Sequence, residues 1–237
     1  MIRKIITFVI RTIKRDKLYH LSPNLSLIDL LIVSFIRIVH LMRGFVYQLI
    51  SLIKPKVVFM AAGTKILHSR SLTIEGTLTL GRNVTLDCLS LEGVKLGVNV
   101  NIPDGSYIRC TGVISELGKG LTVGNNTGFG HYTFINAQGG VVIGNDVIMG
   151  PNVRILAENH KYDSLDLPIR LQGVSRQGIT IDSNVWIGAN VTILDGVRIH
   201  SGSVIGAGSV VTKSIPENSV AAGVPCKVIK ERVETND

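Results

Sequence analysis

Large aliphatic residues recur at every sixth position through the second half of the chain: Ile143, Met149 and Ile155, then Ile181, Ile187, Ile193, Ile199, Ile205 and Val211. Each opens a unit built on one template, an aliphatic residue, often a glycine, two turn-prone residues, then a small or β-branched residue at the fifth place. Ile187-Gly-Ala-Asn-Val-Thr and Ile205-Gly-Ala-Gly-Ser-Val are regular copies, and Leu80-Gly-Arg-Asn-Val-Thr and Leu96-Gly-Val-Asn-Val-Asn are looser ones upstream. A fixed short period is the mark of a solenoid, and a six-residue period points to a β-helix. Each hexad then predicts one short strand and one turn, with its first residue inward and successive coils stacking these residues into an aliphatic column. Glycine and asparagine at the corners tolerate positive φ.

The rhythm slips between Ile108 and Val123, at Gly139-Gly140, and from Ile155 to Ile181. These slips predict loops that leave the coil, because an insertion within a strand would turn its inward face out. The longest predicted loop, 157–180, carries His160 between Asn159 and Lys161, together with several charges and a proline. The repeat reads as a scaffold and this break as the carrier of its chemistry. Beyond Val211 the chain is expected to leave the solenoid, since Pro216 and Pro225 oppose continuous ladder pairing. Residues 215–237 are predicted to form a capping segment with a frayed tail.

Residues 1–56 follow a different pattern. In MIRKIITFVIRTIKRDKLY, Ile2, Ile5, Ile6, Val9, Ile10 and Ile13 share one helical face, with Arg3, Lys4, Arg11, Lys14 and Arg15 largely off it. This is the pattern of an interfacial amphipathic helix. Ser22, Pro23 and Asn24 break it. A second apolar stretch, 25–53, bears Arg37, His40, Gly44, Tyr47 and Ser51 in one polar helical stripe. It contains no uncharged run of about 18 residues, so an interfacial or re-entrant helix is favoured over packing on partner subunits, and both over a spanning helix. The domain reading is therefore a basic apolar helical segment at 1–56, a β-helix at 57–214 and a cap at 215–237.

Charge sharpens this division. The net charge is +8, and residues 1–56 hold ten Lys or Arg against Asp16 and Asp29, so the remainder is neutral. The basicity lies with the apolar helices, which points to an anionic membrane surface and away from nucleic acid. Cys88, Cys110 and Cys226 are far apart and match no metal-ligand spacing, so they read as buried thiols of a reducing compartment. The first apolar run is short and lacks a cleavage site, so no signal peptide is expected. A cytoplasmic protein held peripherally at the inner face of the cytoplasmic membrane fits these features.

The segments ENHKYD (158–163), NVWIGANVTILDGVRI (184–199), GAGSVVTKSIPENSVAAGVPCKVIK (206–230) and FIN (134–136) resemble the left-handed β-helix acyltransferases. Within them, they are most similar to the galactoside, maltose and capsular polysaccharide O-acetyltransferases. The resemblance covers residues 75–232 and is tight from about Phe134 onward; residues 1–56 lie outside it. It implies an all-β, left-handed parallel β-helix, a homotrimer, and acetyl-CoA as co-substrate in the crevice between subunits, with no metal. It implies acetyl transfer to a sugar hydroxyl of a lipid-linked or surface glycan, with His160 as general base and direct attack on the thioester. An alcohol is a poor nucleophile near neutral pH, and a neutral imidazole can take its proton.

By the same resemblance Asn136 contacts the acceptor, and Glu158 or Asp163 orients the imidazole. Trp186 lies beside the coenzyme, the Ala189 N–H faces the thioester oxygen, and Ala207, Thr212, Lys213 and Lys230 contact the coenzyme. The residues taken alone leave His160 as a solvated loop residue, Trp186 as packing and Asn136 as a turn residue. N-acetylation of an amino-sugar nucleotide and a non-catalytic membrane scaffold are the other readings. A β-helix hydratase with zinc held by three histidines is disfavoured, because its H-x-x-x-x-H spacing is absent.

Overall fold

The computed structural model describes residues 2–14 and 17–233. Met1, Arg15, which the sequence assigns to the basic side of the first predicted helix, Asp16 and the tail at 234–237 lie outside the described residues. Almost every strand is two or three residues long, and successive strands fall in turn on three parallel sheets, the faces of a triangular prism. The first face runs from Val58–Met60 through Leu78–Leu80, Val100–Ile102, Ile148–Met149, Trp186–Ile187 and Val204–Ile205 to Ser219–Ala222, with Gly128 bridging its middle. The second is Lys65–Leu67, Thr85–Asp87, Tyr107–Arg109, Phe134–Asn136, Arg154–Leu156, Thr192–Leu194 and Val210–Val211. The third runs from Leu72–Ile74 to Arg198–Ile199. This is the left-handed parallel β-helix.

The hexads build it as their template requires. Every first-place residue from Ile143 to Val211 is buried, and so are the fifth-place residues Val147, Val153, Val185, Val191 and Val197. Two inward residues per hexad make one continuous core along the axis. The fourth place is where the chain turns: Asp146, Asn152, Asn184 and Asn190 have φ between 57° and 59°, and Gly196, Gly202 and Gly208 between 72° and 81°. Asparagine and glycine stand there because this left-handed backbone clashes with most Cβ atoms.

Where the rhythm slips, the surplus residues leave the coil at one corner. Residues 88–93, 110–120, 137–140 and 157–178 all lie between a strand of the second face and one of the third. The largest excursion therefore stacks on smaller ones below it.

The solenoid extends beyond Val211. Ile215 bridges Ile199, and Ser219–Ala222 pairs in parallel with Val204–Ile205, so a further coil forms where a departure is expected from sequence. The prolines flank this strand without interrupting it, and the Pro216 carbonyl accepts a hydrogen bond from Ser203 Oγ at 2.7 Å. Among the described residues after Val211, Lys227–Glu231 alone reverses direction, pairing antiparallel with Ser219–Ala222.

Two helices precede the prism, α1 (Ile2–Lys14) and α2 (Leu27–Ile50). Ser26 caps α2 by accepting from the Asp29 N–H at 3.0 Å. The polar stripe of α2 faces the β-helix. The Arg37 guanidinium lies over the Phe59 ring, Tyr47 Oη donates to the Ile66 carbonyl, and buried Gln48 both donates to and accepts from the Lys56 backbone. Gly44 meets Val58, where a Cβ would come within 2.0 Å of the carbonyl oxygen. That carbonyl lies on the free edge of the first strand, since Val57 and Ala61 make the bonds to Leu78 and Leu80. Helix α2 thus covers the exposed end of the solenoid, as edge strands require.

Candidate functional site

Leu156 ends a strand of the second face, and the chain then leaves the coil for a small hairpin. Asn159–His160 pairs antiparallel with Val174–Ser175, and the Lys161 N–H donates to the Gly173 carbonyl. His160 is exposed at this hairpin, and among the described residues no side-chain hydrogen bond or ion pair engages its ring. The imidazole is therefore open to solvent.

Asn136 lies directly below Leu156 in the ladder, and its backbone carbonyl accepts from the Ala157 N–H. Its side-chain oxygen accepts from the Gln138 N–H at 3.0 Å, which fixes the amide at the foot of the hairpin. Asp163 is exposed further out on the loop. Glu158 is committed elsewhere: Arg176 Nε donates to its Oε2 at 2.7 Å, with both side chains mostly buried. Arg176 also reaches Glu116 and the Leu117 carbonyl on the smaller excursion below. Glu158 thus anchors the hairpin's base. Arg176 has no signature in the sequence, because Arg170 lies in the same loop and nothing in the local pattern separates the two.

Trp186 stands on the first face, 56% exposed. The ladder sets it in one row with Val204, Val220 and Lys230, so the indole and this lysine share a line parallel to the axis. Three strand intervals of about 4.8 Å separate them, roughly 14 Å in all. Beside that row, at the corner between the first and second faces, Ala207 stacks on Ala189. Their N–H groups donate to no carbonyl among the described residues. A Cβ at Gly150 would lie 2.6 Å from the Ala189 nitrogen, and one at Gly188 would lie 2.5 Å from that of Ala207. Glycine is needed at both places because the backbone nitrogen of the neighbouring coil packs directly against it, a signal readable only once the coils are stacked.

Thr212 and Lys213 are exposed after the strand Val210–Val211, at the opposite corner of the second face. Within one chain the ten residues thus form two groups. Trp186, Ala189, Ala207 and Lys230 gather on or beside the first face, while His160, Asn136, Glu158, Asp163, Thr212 and Lys213 belong to the far edge of the second. A full face separates them, on the order of 15 Å at 3.3 Å per residue.

The cysteines offer no nucleophile. Burial raises the pKa of the Cys88 thiol and pushes that of Cys110 up to about 12, and burial also raises that of Cys226 against a hydrogen bond from Ser209. A thiol held protonated is inert. Among the described residues no three His, Cys, Asp or Glu side chains converge as a metal site would require.

Residues 178–213 match the bacterial transferase hexapeptide family (six repeats). The chain is 36% identical over 158 residues to WbbJ of Escherichia coli (strain K12), named for O-acetyl transfer in lipopolysaccharide biosynthesis, spanning 63% of this chain and 79% of WbbJ. The chain belongs to the hexapeptide-repeat acyltransferases. Another member, galactoside O-acetyltransferase of E. coli (strain K12), is 50% identical over 92 residues, which are 38% of this chain and 44% of that protein. Against several such curated relatives the chain spans about half their length. The N-acyltransferase AntD from Bacillus cereus, solved with dTDP and 3-hydroxybutyryl-CoA, shares the fold of this hexapeptide-repeat protein. Its TM-score is 0.53 at 19% identity, over 76% of this chain and 81% of AntD.

Proposed function

We propose that this protein is an acetyl-CoA-dependent O-acetyltransferase acting on a sugar hydroxyl of a lipid-linked or surface glycan at the cytoplasmic side of a membrane. The observation that carries the reading is the exposed, unpaired His160 ring at the hairpin above Asn136, on a prism whose opposite corner holds two amides that donate to no carbonyl among the described residues.

The donor surface fits acetyl-CoA: an indole for an apolar face, N–H groups without a backbone acceptor for carbonyl oxygens, and Lys230 in the same row for phosphate. When bound, the thioester supplies an activated acetyl group. His160 would take the proton from the acceptor hydroxyl as that oxygen attacks the thioester carbonyl carbon, and return it to the CoA sulfur as the C–S bond breaks and free CoA leaves, a contribution of about 10² to 10⁴-fold. Asn136 holds the sugar, and the Ala189 N–H stabilises the oxyanion that develops. Because reacting atoms must approach to about 3–3.5 Å, the separation of the two groups within one chain favours a site completed between subunits. His160, Thr212 and Lys213 of one subunit then face Trp186, Ala189 and Ala207 of the next, in a homotrimer.

The test uses purified full-length protein, radiolabelled acetyl-CoA and lipid-linked glycans extracted from cells lacking the protein. Label should enter the glycan in a form released by mild alkali, as an ester is. Replacing His160→Ala should lower transfer by orders of magnitude while trimer and acetyl-CoA affinity stay near normal. Undiminished transfer by the variant would sink the base assignment, and an alkali-stable label would instead indicate an N-acetyl product.

A further inference from the structure

Helix α2 is fixed to the end of the prism along the stripe from Arg37 to Gln48, and most of its remaining surface is apolar and exposed, with the Arg43 cation within it and Asp29 at its margin. Ile28, Phe35, Met42 and Leu49 are between 62% and 70% exposed, with Ile32, Val46 and Ile50 beside them. At about 100° per residue these positions and their exposed neighbours span on the order of 200°, centred opposite Gly44 and Gln48. An arc that wide exceeds a two-residue-per-heptad coiled-coil seam. Phe8, Ile5 and Val9 of α1 add exposed apolar surface, while Lys4, Arg11, Lys14, Arg43 and Lys54 are exposed cations in the same segment. Asp29 is the single acid among the described residues before Pro55. Apolar surface with a cationic surround is complementary to an anionic lipid surface.

We infer that α2 is the base on which the molecule stands on an anionic bilayer, and that the upright prism carries the transfer site at a fixed height. The acceptor is then a sugar of a lipid-linked oligosaccharide well removed from the lipid, and not the sugar joined to the lipid phosphate. This rests on the acetyl-transfer reading above.

The orientation follows from where α2 is docked. It covers the free edge of the first strand, so its far side looks along the prism axis, while one flank, with Met42, Val46 and Ile50, borders a groove against residues 60–64 of the first coil. A helix held along Arg37–Gln48 by the solenoid cannot also cross the bilayer through those residues. The height follows from the ladder on the second face. Ile66, Leu86, Ile108, Ile135 and Ile155 are consecutive partners, four intervals from the first coil to the one that issues the His160 hairpin. At about 4.8 Å per interval that is roughly 19 Å, and the helix adds a diameter of about 10 Å. The site therefore stands about 30 Å above the lipid-facing side of α2. A sugar adjacent to the lipid phosphate lies at the headgroups and cannot reach it.

Two measurements test this. The full-length protein, labelled with a donor dye at Lys161→Cys or at Lys54→Cys, is bound to phosphatidylcholine vesicles containing phosphatidylglycerol and a headgroup-linked acceptor dye. Energy transfer should be efficient from position 54 and weak from position 161. Equal transfer from the two positions would mean that the prism lies on its side, and absence of binding, or an α2 surface occupied by a second copy of the chain, would equally overturn the inference. Lipid-linked oligosaccharides from cells making the wild-type or the His160→Ala protein are then compared by tandem mass spectrometry. The His160-dependent acetyl group should sit on units remote from the lipid phosphate, and its presence on the first unit refutes the height argument. If no His160-dependent acetyl group is found on any glycan, the acetyl-transfer reading itself fails, whatever the vesicle result.

Discussion

Arg176 Nε donates to Glu158 Oε2 at 2.7 Å across the base of the His160 hairpin, and the same guanidinium reaches Glu116 and the Leu117 carbonyl on the excursion beneath. One side chain thus ties the longest insertion to the 110–120 excursion two coils below it. Glu158 lies two residues before His160, so this clamp sets where the imidazole can stand.

Replacing Arg176→Ala leaves the Glu158 carboxylate mostly buried and unpaired, which costs on the order of 3 kcal/mol where a buried partner is removed. The hairpin should loosen and kcat should fall severalfold with the KM for acetyl-CoA unchanged. The reciprocal pair Arg176→Glu with Glu158→Arg should recover part of the loss. Steady-state kinetics of the three variants, with protease accessibility of the loop, checks this; a change in coenzyme KM alone would contradict the clamp.

Gly44 sits where a Cβ would come within 2.0 Å of the Val58 carbonyl oxygen, and backbone cannot yield as a flexible side chain does. Replacing Gly44→Ala should therefore cost about 1–3 kcal/mol of overpacking at the helix–prism contact, despite alanine's better helix propensity. Faster proteolytic cleavage after α2 and a lowered melting temperature are the expected readouts. An unchanged cleavage rate would mean that α2 is not docked through Gly44.

His40 is held below its ordinary pKa, first by burial and then by the cations of Arg37, Arg43 and Arg82, with Asp104 acting in the opposite sense. The unfolded chain therefore takes up this proton more readily than the folded one. Its contribution is fully present above the unfolded value of 6.5 and is lost as pH falls through the lowered folded value. Thermal melts above and below pH 6.5 should show an acid-side loss that His40→Gln reduces; identical pH profiles for the two proteins would exclude this residue.

The six-residue spacing by itself determined the architecture. Ile143 through Val211 can all be inward only if each hexad supplies one strand and one turn, and the fourth-place Asn and Gly mark corners that need a left-handed backbone. It also marked the residues 157–178 as outside the coil, because a slip of register cannot be absorbed in a strand. His160 was legible as a candidate for that reason and by the likeness of ENHKYD to the acyltransferases, while the extra coil at Ser219–Ala222 was not, because prolines beside a strand read like prolines within one.

Tertiary structure alone decided the rest. Glu158 and Arg176 are eighteen residues apart, and the choice of Arg176 over Arg170 depends on the register between Asn159–His160 and Val174–Ser175. The backbone nitrogens of Ala189 and Ala207 pack against glycines a full coil away in the stack. The stripe Arg37, His40, Gly44 and Tyr47 shows periodicity, but only the free edge at Val58 determines that this stripe faces protein and that the apolar arc faces outward. Such relations join residues distant in sequence, so a local pattern does not specify them.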